Sequence, residues 1–332
     1  GTVEYNGAVT QTVRGINYNN LVFSGAGTKT IATGTTITLD GNFTTDSPVT
    51  MSGTAGANIT GNIAGSGSVT MGSGTIVLEG NWTNNGTLVP GTGIVHYNGA
   101  TQLIGAQNYY NLQISESGVK TLDGNTGVSN VLTINTPATL NLSSFDLTIS
   151  GSGTPVLATG TLQPGTSTVK YTNAAATTIA ALDYYNLDGS GGARTLTSSG
   201  TIGIAGIFTP GAGAYTITGS TIHFNGSGEQ TIPAFNYQNL NATGGNRILD
   251  PVGTIGIAGV FTPGAGSYTL TTSTVNFNGL TAQTLPEFTF NELILSETGV
   301  KTLLTGTALT ANTITIQDGA VLDMEGTSIL NV

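Results

Sequence analysis

The sequence has 332 residues, of which 38% are hydrophobic and 7% charged, and its 17 acidic and 7 basic side chains give a net charge of -10. This acidity disfavours nucleic acid and anionic membranes as partners, and the short apolar runs fall well below the roughly 18 or more consecutive residues of a membrane span. The absence of cysteine excludes disulfides and thiolate metal sites, and it is compatible with secretion from a bacterium.

An aromatic-x-Asn-Leu motif recurs along the chain at 18–21, 109–112, 184–187 and 237–240, with a degenerate copy at 290–293. Fifteen or sixteen residues before each leucine stands an aromatic residue in the pattern [VI]-x-[YF]-[NT]-[GN]: Tyr5, Tyr97, Tyr171, Phe224 and Phe277. Seven or eight residues after each leucine stands a basic residue: Lys29, Lys120, Arg194, Arg247 and Lys301. Motifs that travel together at fixed distances indicate an internal repeat.

The repeat is clearest where 167–219 and 220–272 are aligned, and between 201–216 and 254–269 only two of sixteen positions differ. Comparable strand-like segments begin at Thr168, Arg194 and Thr221, and this even spacing predicts two coils in each repeat. We interpret the chain as one continuous array with units at 1–92, 93–166, 167–219, 220–272 and 273–332, and we expect it to be an excerpt of a longer array.

Within the repeats, apolar residues alternate with Thr, Ser or Asn at period two, as in 215–218 and 313–316, and Pro-Gly pairs mark tight turns. We therefore predict an all-β fold, a right-handed parallel β-helix (β-solenoid) with about three strands per coil and coils of roughly 26 residues. The recurring aromatic residues are expected along one side of it. A string of immunoglobulin-like sandwiches is the rival, but such domains need about 100 residues each.

The basic residues Lys29, Lys120, Arg194, Arg247 and Lys301 are the candidate binding ladder. They could form a stripe that contacts a ligand, or a solvated edge that discourages aggregation. His96 and His223 occupy a repeat position that elsewhere holds Glu4, Lys170 or Asn276, which favours an outward, solvated place over catalysis. No cofactor or metal motif is present, and the dense Asp-containing nonapeptide pattern of calcium-binding β-helices is absent.

The acidic residues are scattered, and their closest groups are Glu287, Glu292 and Glu297, and Asp318, Asp323 and Glu325. A glycoside hydrolase needs a pair of carboxylates, so a polysaccharide-acting hydrolase or lyase stays an alternative without named catalytic residues. Thr-x-Thr triplets, as at 36–38 and 216–218, raise a second alternative, because a flat ladder of threonines can order water in an ice-binding module.

The segments GTVEYNG, INYNNLVFSGAGTKTI, QNYYNLQISESGVKTL and ITIQDGAVLDMEGTSIL resemble the repeat regions of very large secreted surface proteins and adhesins of bacteria, especially those exported by the type IX pathway. The resemblance implies a secreted, cell-surface β-solenoid that serves as a stalk, a filament subunit or an attachment module, and not an enzyme. Neither GTVEYNG nor TSILNV looks like the polar cap that a solenoid needs, so we expect further coils or subunits of the same protein at both ends as partners. Surface glycans or other cells are the expected targets. No catalytic residues and no cofactor carry over.

Overall fold

The computed structural model describes residues 1–332 as strands joined by turns, without a helix. The chain divides into two compact units, Gly1–Thr178 and Ile179–Val332. Every strand pairing within the units is parallel, and together they contain about 16 turns of a β-solenoid. The predicted all-β solenoid is thereby confirmed, while its right-handed sense and its continuity as one body stay predictions.

The first unit contains short strands of two to nine residues. They are β1 (Thr2–Tyr5), β2 (Gln11–Val13), β3 (Asn17–Tyr18), β4 (Asn20–Phe23), β5 (Lys29–Ile31), β6 (Thr36–Leu39), β7 (Phe43–Thr45), β8 (Val49–Met51), β9 (Gly56–Ile59), β10 (Ile63–Gly65), β11 (Val69–Met71), β12 (Thr75–Leu78), β13 (Leu88–Val89), β14 (Ile94–Tyr97), β15 (Gln102–Ile104), β16 (Asn108–Ile114), β17 (Val119–Leu122), β18 (Thr126–Ile134), β19 (Thr139–Asn141), β20 (Leu147–Ile149), β21 (Val156–Ala158), β22 (Thr161–Gln163) and β23 (Thr168–Tyr171), with β24 (Thr177–Ile179) at the division.

The second unit continues in the same style. Its strands are β25 (Asp183–Tyr184), β26 (Asn186–Asp188), β27 (Arg194–Leu196), β28 (Ile202–Ile204), β29 (Phe208–Thr209), β30 (Tyr215–Thr216), β31 (Thr221–Phe224), β32 (Gln230–Ile232), β33 (Asn236–Tyr237), β34 (Asn239–Ala242), β35 (Arg247–Leu249), β36 (Thr254–Ile257), β37 (Phe261–Pro263), β38 (Tyr268–Thr269), β39 (Thr274–Phe277), β40 (Gln283–Thr284), β41 (Phe288–Leu295), β42 (Val300–Leu303), β43 (Ala308–Ile316), β44 (Val321–Met324) and β45 (Ile329–Asn331).

Three strands complete one turn in both units. In the first unit β1 pairs with β4, β2 with β5 and β3 with β6, and in the second unit β31 pairs with β34 and β33 with β36. The length of a turn varies, since Ile94 pairs with Asn111 in one of the shorter turns and Leu132 pairs with Val156 in one of the longer ones. The three-strand coil is as predicted, but the coils are shorter than expected and the predicted coil length is wrong.

The length of the repeat explains that error. Residues 220–272 contain eight strands, β31 to β38, and eight strands on a three-sided coil make two and two-thirds turns. The spacing read from the sequence joins strands that lie four apart in the chain, not successive turns. Within the second unit, the repeat 273–332 therefore begins on a different face from the repeat 220–272.

The recurring aromatic residues accordingly do not share one side. Phe224 lies in the sheet β28–β31–β34, whereas its counterpart Phe277 lies in the sheet β36–β39–β41, and β34 and β36 are different faces of one coil. In the first unit the three copies also stack in separate columns, with the registers Tyr5↔Phe23, Tyr97↔Ile114 and Tyr171↔Ile149. The expectation of a single aromatic column is wrong.

The period-two alternation places one set of side chains in the core of the coils. Leu21, Phe23 and Phe43 are fully buried, and the rings of Phe23 and Phe43 meet edge to face at 5.1 Å between centroids. Each fully buried aliphatic or aromatic side chain contributes roughly 1.5–3 kcal/mol. The stacked core therefore holds a chain that has no disulfide.

Asparagine side chains connect the backbones of successive coils in the first unit. The Oδ1 atoms of Asn20, Asn42, Asn62 and Asn81 each accept a backbone N–H from the next coil, at 2.9, 2.9, 2.7 and 2.7 Å. Asn239 does the same in the second unit, where its Oδ1 accepts the N–H of Val260 at 3.0 Å. The asparagine of the aromatic-x-Asn-Leu motif thus satisfies backbone groups at a corner where the strand ladder is interrupted.

The tyrosine of the same motif closes the corner from the inside. The hydroxyl groups of Tyr18, Tyr109, Tyr184 and Tyr237 each donate to the carbonyl oxygen four residues earlier, at 2.8, 2.8, 2.9 and 3.0 Å. A buried tyrosine hydroxyl needs such a partner. The motif is therefore a structural corner, and its degenerate copy, which begins with Phe290, lacks this hydroxyl.

Candidate functional site

The five basic residues of the candidate ladder are buried. Lys29, Lys120, Arg247 and Lys301 are 0% exposed and Arg194 is 1% exposed. The interpretation as a solvated edge is therefore wrong. Because successive repeats begin on different faces, the side chains of Arg247 in β35 and Lys301 in β42 also belong to different sheets. Within the second unit, the structure therefore does not bring Arg247 and Lys301 into one stripe.

Each of four basic residues stacks on a glutamine of the preceding coil, and we call this arrangement the glutamine–cation corner. Its registers are Gln11↔Lys29, Gln102↔Lys120, Gln230↔Arg247 and Gln283↔Lys301. The glutamines are hydrogen-bonded to the turn that precedes them: Gln283 Oε1 accepts the N–H of Gly279 at 2.8 Å, and its Nε2 donates to Ile257 and Gly259 carbonyls at 2.9 and 2.8 Å.

The cation of the corner binds carbonyl oxygens and no carboxylate. Lys301 Nζ donates to the carbonyl oxygens of Gly279 and Gly299, at 2.8 and 2.7 Å, and the ammonium is removed from solvent. Burial lowers the pKa of Lys301, with a smaller opposing effect of Glu297, and it lowers the pKa of Lys120 in the same way. Lys301 thus ties its own turn to a turn of the preceding coil, whereas Lys120 Nζ donates to the carbonyl oxygens of Glu116 and Ser117 in its own turn, at 3.0 and 3.1 Å. Both side chains are 0% exposed and are not available to a ligand.

The two histidines lie half-buried on the outer side of their strands. His96 Nε2 is 2.6 Å from Ser115 Oγ, and His223 Nε2 is 2.9 Å from Thr243 Oγ1. Partial burial lowers the pKa of His96. At the same repeat position Lys170 forms an ion pair with Asp146 at 2.6 Å. The position therefore supports side-chain contacts between neighbouring coils and gathers no further catalytic group.

The acidic groups named from the sequence do not form a metal centre. No cluster of three or more histidine, aspartate or glutamate side chains is placed to hold an ion. Glu292 accepts a hydrogen bond from the hydroxyl of Thr274 at 2.7 Å, which ties two adjacent strands together.

A groove in the second unit is the best candidate for a binding site. It has a volume of about 710 Å³ and lies between two turns, 205–208 and 226–231, with Tyr185 beside them. The ring of Tyr185 covers Gly206, with Cε1 3.1 Å from the position that a side chain's first carbon would take there. We call this feature the Tyr185 groove. Its volume lies in the range of about 300–1,000 Å³ that small-ligand sites occupy.

Free polar groups surround the ring. Tyr185, Ser227, Glu229 and Thr231 line the groove, and none of their side chains hydrogen-bonds within the chain. Beneath them Gln230 is 5% exposed and its amide binds Gly226 N and the carbonyl oxygens of Ile204 and Gly206, at 2.8, 2.9 and 2.9 Å. The floor of the groove is thus fixed by a glutamine–cation corner, while its rim is free to bind.

Two other concavities of the second unit are copies of each other. One, of about 330 Å³, contains Tyr215 and Phe235, and the other, of about 520 Å³, contains their counterparts Tyr268 and Phe288. The rings meet edge to face, at 4.8 and 4.7 Å between centroids. These concavities come with the repeat and are part of its packing.

Sequence reasoning missed Tyr185, Ser227 and Glu229. A comparison of the two similar repeats position by position would have found them, because the residues 53 positions later are Gln238, Leu280 and Ala282. The three residues lie in surface turns and bends, where binding residues are disproportionately found on a rigid scaffold.

Comparisons of the chain with known protein families, with curated proteins and with solved structures find no match. The resemblance to adhesin repeats therefore stays a prediction. No helix long and apolar enough to cross a bilayer is found.

Proposed function

We propose that the chain is an extracellular structural and adhesive module of a bacterial surface protein, in which stacked coils form a stalk or filament segment. The observation that supports this proposal is that the recurring motif residues serve the packing of the coils. The asparagine corners and the glutamine–cation corners join one coil to the next, and the tyrosine corners hold the bend within a coil. A sequence that repeats coil-to-coil contacts and leaves a neutral, hydroxyl-rich surface supports a scaffold more than a reaction.

The proposed mechanism is geometric. Parallel coils add hydrogen bonds along the direction of stacking, so further coils or subunits of the same kind could extend the array, and the rigid surface would hold a binding region toward other cells or their glycans. We propose secretion and display at the cell surface, without a cofactor and without an enzymatic step.

Immuno-electron microscopy of the native material tests this function. We expect antibody label on fibres, a sheath or stalks outside the cell, and we expect beads coated with the purified chain to adhere to cells more than albumin-coated beads do. Label confined to the cell interior, together with no bead adhesion, would contradict the proposal.

Ice binding is a second candidate because of one observation in the first unit. Thr12, Thr30, Thr50 and Thr70 stack in register on β2, β5, β8 and β11, and all four lie on the outer side of their strands. Stacked strands are about 4.8 Å apart, so the hydroxyl groups form a regular row. Thermal hysteresis of the purified chain tests the candidate, and a chain without hysteresis would remove it.

A further inference from the structure

We propose that the Tyr185 groove binds a neutral saccharide, which rests on the proposed adhesive function and names its ligand class and its site. The groove combines an aromatic ring, an exposed apolar residue and a set of free hydroxyl and carboxylate groups within one concavity.

The groove is a local departure from the repeat. Its scaffold is retained 53 residues later, since Asn186, Gly206, Phe208, Gly226 and Gln230 correspond to Asn239, Gly259, Phe261, Gly279 and Gln283. Its solvent-facing groups are not retained: Tyr185, Ser227 and Glu229 correspond to Gln238, Leu280 and Ala282. The fold therefore needs neither the ring nor the carboxylate at these places, and a separate reason for them is a ligand.

The rim chemistry fits a sugar ring. A pyranose presents a face of C–H groups with small positive charges and an edge of hydroxyl groups. The negative face of the Tyr185 ring suits the C–H face, and Ile207, which is 65% exposed, adds apolar surface beside it. The carboxylate of Glu229 can accept charge-assisted hydrogen bonds from sugar hydroxyls, while Ser227 and Thr231 can both donate and accept.

The charge of the groove selects against anionic ligands. Glu229 is its one charged side chain at the surface. The nearest base in the corner, Arg247, is 0% exposed and is bound to the carbonyl oxygens of Phe224, Gly226 and Gly228, at 2.6, 3.3 and 3.3 Å. No cation is therefore free to pair with a sulfate or a uronate, and the expected saccharide is neutral.

The floor is held in place before a ligand arrives. Arg247 fixes the turn 226–228 from the following coil, and Gln230 fixes it from within the same coil. The N–H of Gly226 is bound by Gln230 and its carbonyl oxygen accepts the N–H of Gly245 at 3.0 Å. A peptide strand would find few free backbone groups to pair with here, whereas a sugar needs only the free side chains. Preorganisation of this kind reduces the entropic cost of binding.

The test uses the whole chain and neutral oligosaccharides prepared from cellulose, mannan, xylan and chitin, with binding followed by saturation-transfer NMR and calorimetry. Tyr185→Gln and Glu229→Ala introduce residues that the second repeat already carries, so both variants are expected to fold. We expect at least one oligosaccharide to bind the native chain at one site, and each substitution to weaken it at least tenfold. The matched control Thr284→Ala, at the position of the next repeat that corresponds to Thr231, is expected to leave binding unchanged.

A second experiment introduces the groove residues at the equivalent positions of the next repeat. The combined change Gln238→Tyr, Leu280→Ser and Ala282→Glu is expected to raise the stoichiometry from one site to two. The proposal is overturned if no oligosaccharide binds, if Tyr185→Gln binds as well as the native chain, or if only peptides bind. Bead adhesion that survives Tyr185→Gln would overturn the saccharide site while the adhesive function stands. Saccharide binding without any bead adhesion would do the reverse.

Discussion

The glutamine–cation corner makes a direct prediction about stability through Lys301. Replacing Lys301 by Met keeps an unbranched side chain as far as Cε and removes the ammonium group. The carbonyl oxygens of Gly279 and Gly299 then lose their buried donor, and an unpaired buried acceptor costs about 1–3 kcal/mol. Part of this loss is offset because the methionine does not bury a charge. Two such acceptors cost about 2–6 kcal/mol, and after the offset we expect Lys301→Met to lower the free energy of unfolding by about 2–4 kcal/mol.

Urea denaturation followed by circular dichroism measures this change, with fluorescence as a second probe to check that the transition is cooperative. Two control variants separate the loss of the charged donor from other effects of a substitution in this strand. Lys301→Arg keeps the charge and the donors, and because Arg194 and Arg247 occupy the same repeat position it should retain most of the stability. Thr302→Ala, on the outer side of the same strand, should stay within about 0.5 kcal/mol of the native chain. A Lys301→Met variant as stable as Thr302→Ala would refute the reasoning.

Three further predictions concern the corners and their titration. Asn62→Ala removes the acceptor for the N–H of Asn81, so the free energy of unfolding should fall by about 1 kcal/mol. The control Asn58→Ala, at an exposed position, should change it little. Equal effects of the two substitutions in urea denaturation would contradict the prediction. Tyr237→Phe removes the donor to the carbonyl oxygen of Pro233 and should lower the melting temperature modestly. The variant should still fold, because Phe290 occupies the same position in another copy of the motif. An unchanged melting temperature would contradict a stabilising role for this hydrogen bond. Burial raises the pKa of Tyr97 and of Tyr109, so the folded state keeps protons that the unfolded chain loses near pH 10. The stability that is present below that pH should therefore be lost as the pH rises above it. Tyrosinate absorbance should appear together with unfolding, and its appearance in the still-folded protein would disprove the prediction.

The fold class could be predicted from local patterns, since alternation at period two and Pro-Gly turns are properties of single strands. The coil length could not be predicted in the same way. Segments beginning at Thr168, Arg194 and Thr221 look alike, yet they are strands β23, β27 and β31, four strands apart in a coil that turns every three. Sequence similarity identifies strands that are equivalent in the repeat, whereas stacking depends on which strands pair in register. In this chain the similar strands are not the ones that pair.

The burial of the basic residues shows a second feature that could not be fully predicted from the sequence. Lysine is rarely buried without a partner, and that general rule favoured a solvated edge. The local pattern contained the opposite signal, because Lys29 stands two residues before Ile31 and alternation places both on the inner side of β5. What the sequence could not reveal is the set of backbone carbonyls that makes such burial tolerable, since Gly279 reaches Lys301 only through the stacking of two coils.

The eight-strand repeat also bears on how a binding site could arise in this chain. In the second unit the repeats 220–272 and 273–332 begin on different faces, so their equivalent residues do not stack on each other: Phe224 lies over Ile204, and Phe277 lies between Ile257 and Leu295. A residue at one copy of a surface position therefore does not stack on its counterpart in the next repeat. Ser227 and Leu280 can differ without disturbing a shared column, and the same independence allows the Tyr185 groove to acquire a ring and a carboxylate while the corners beneath it keep the coils in register.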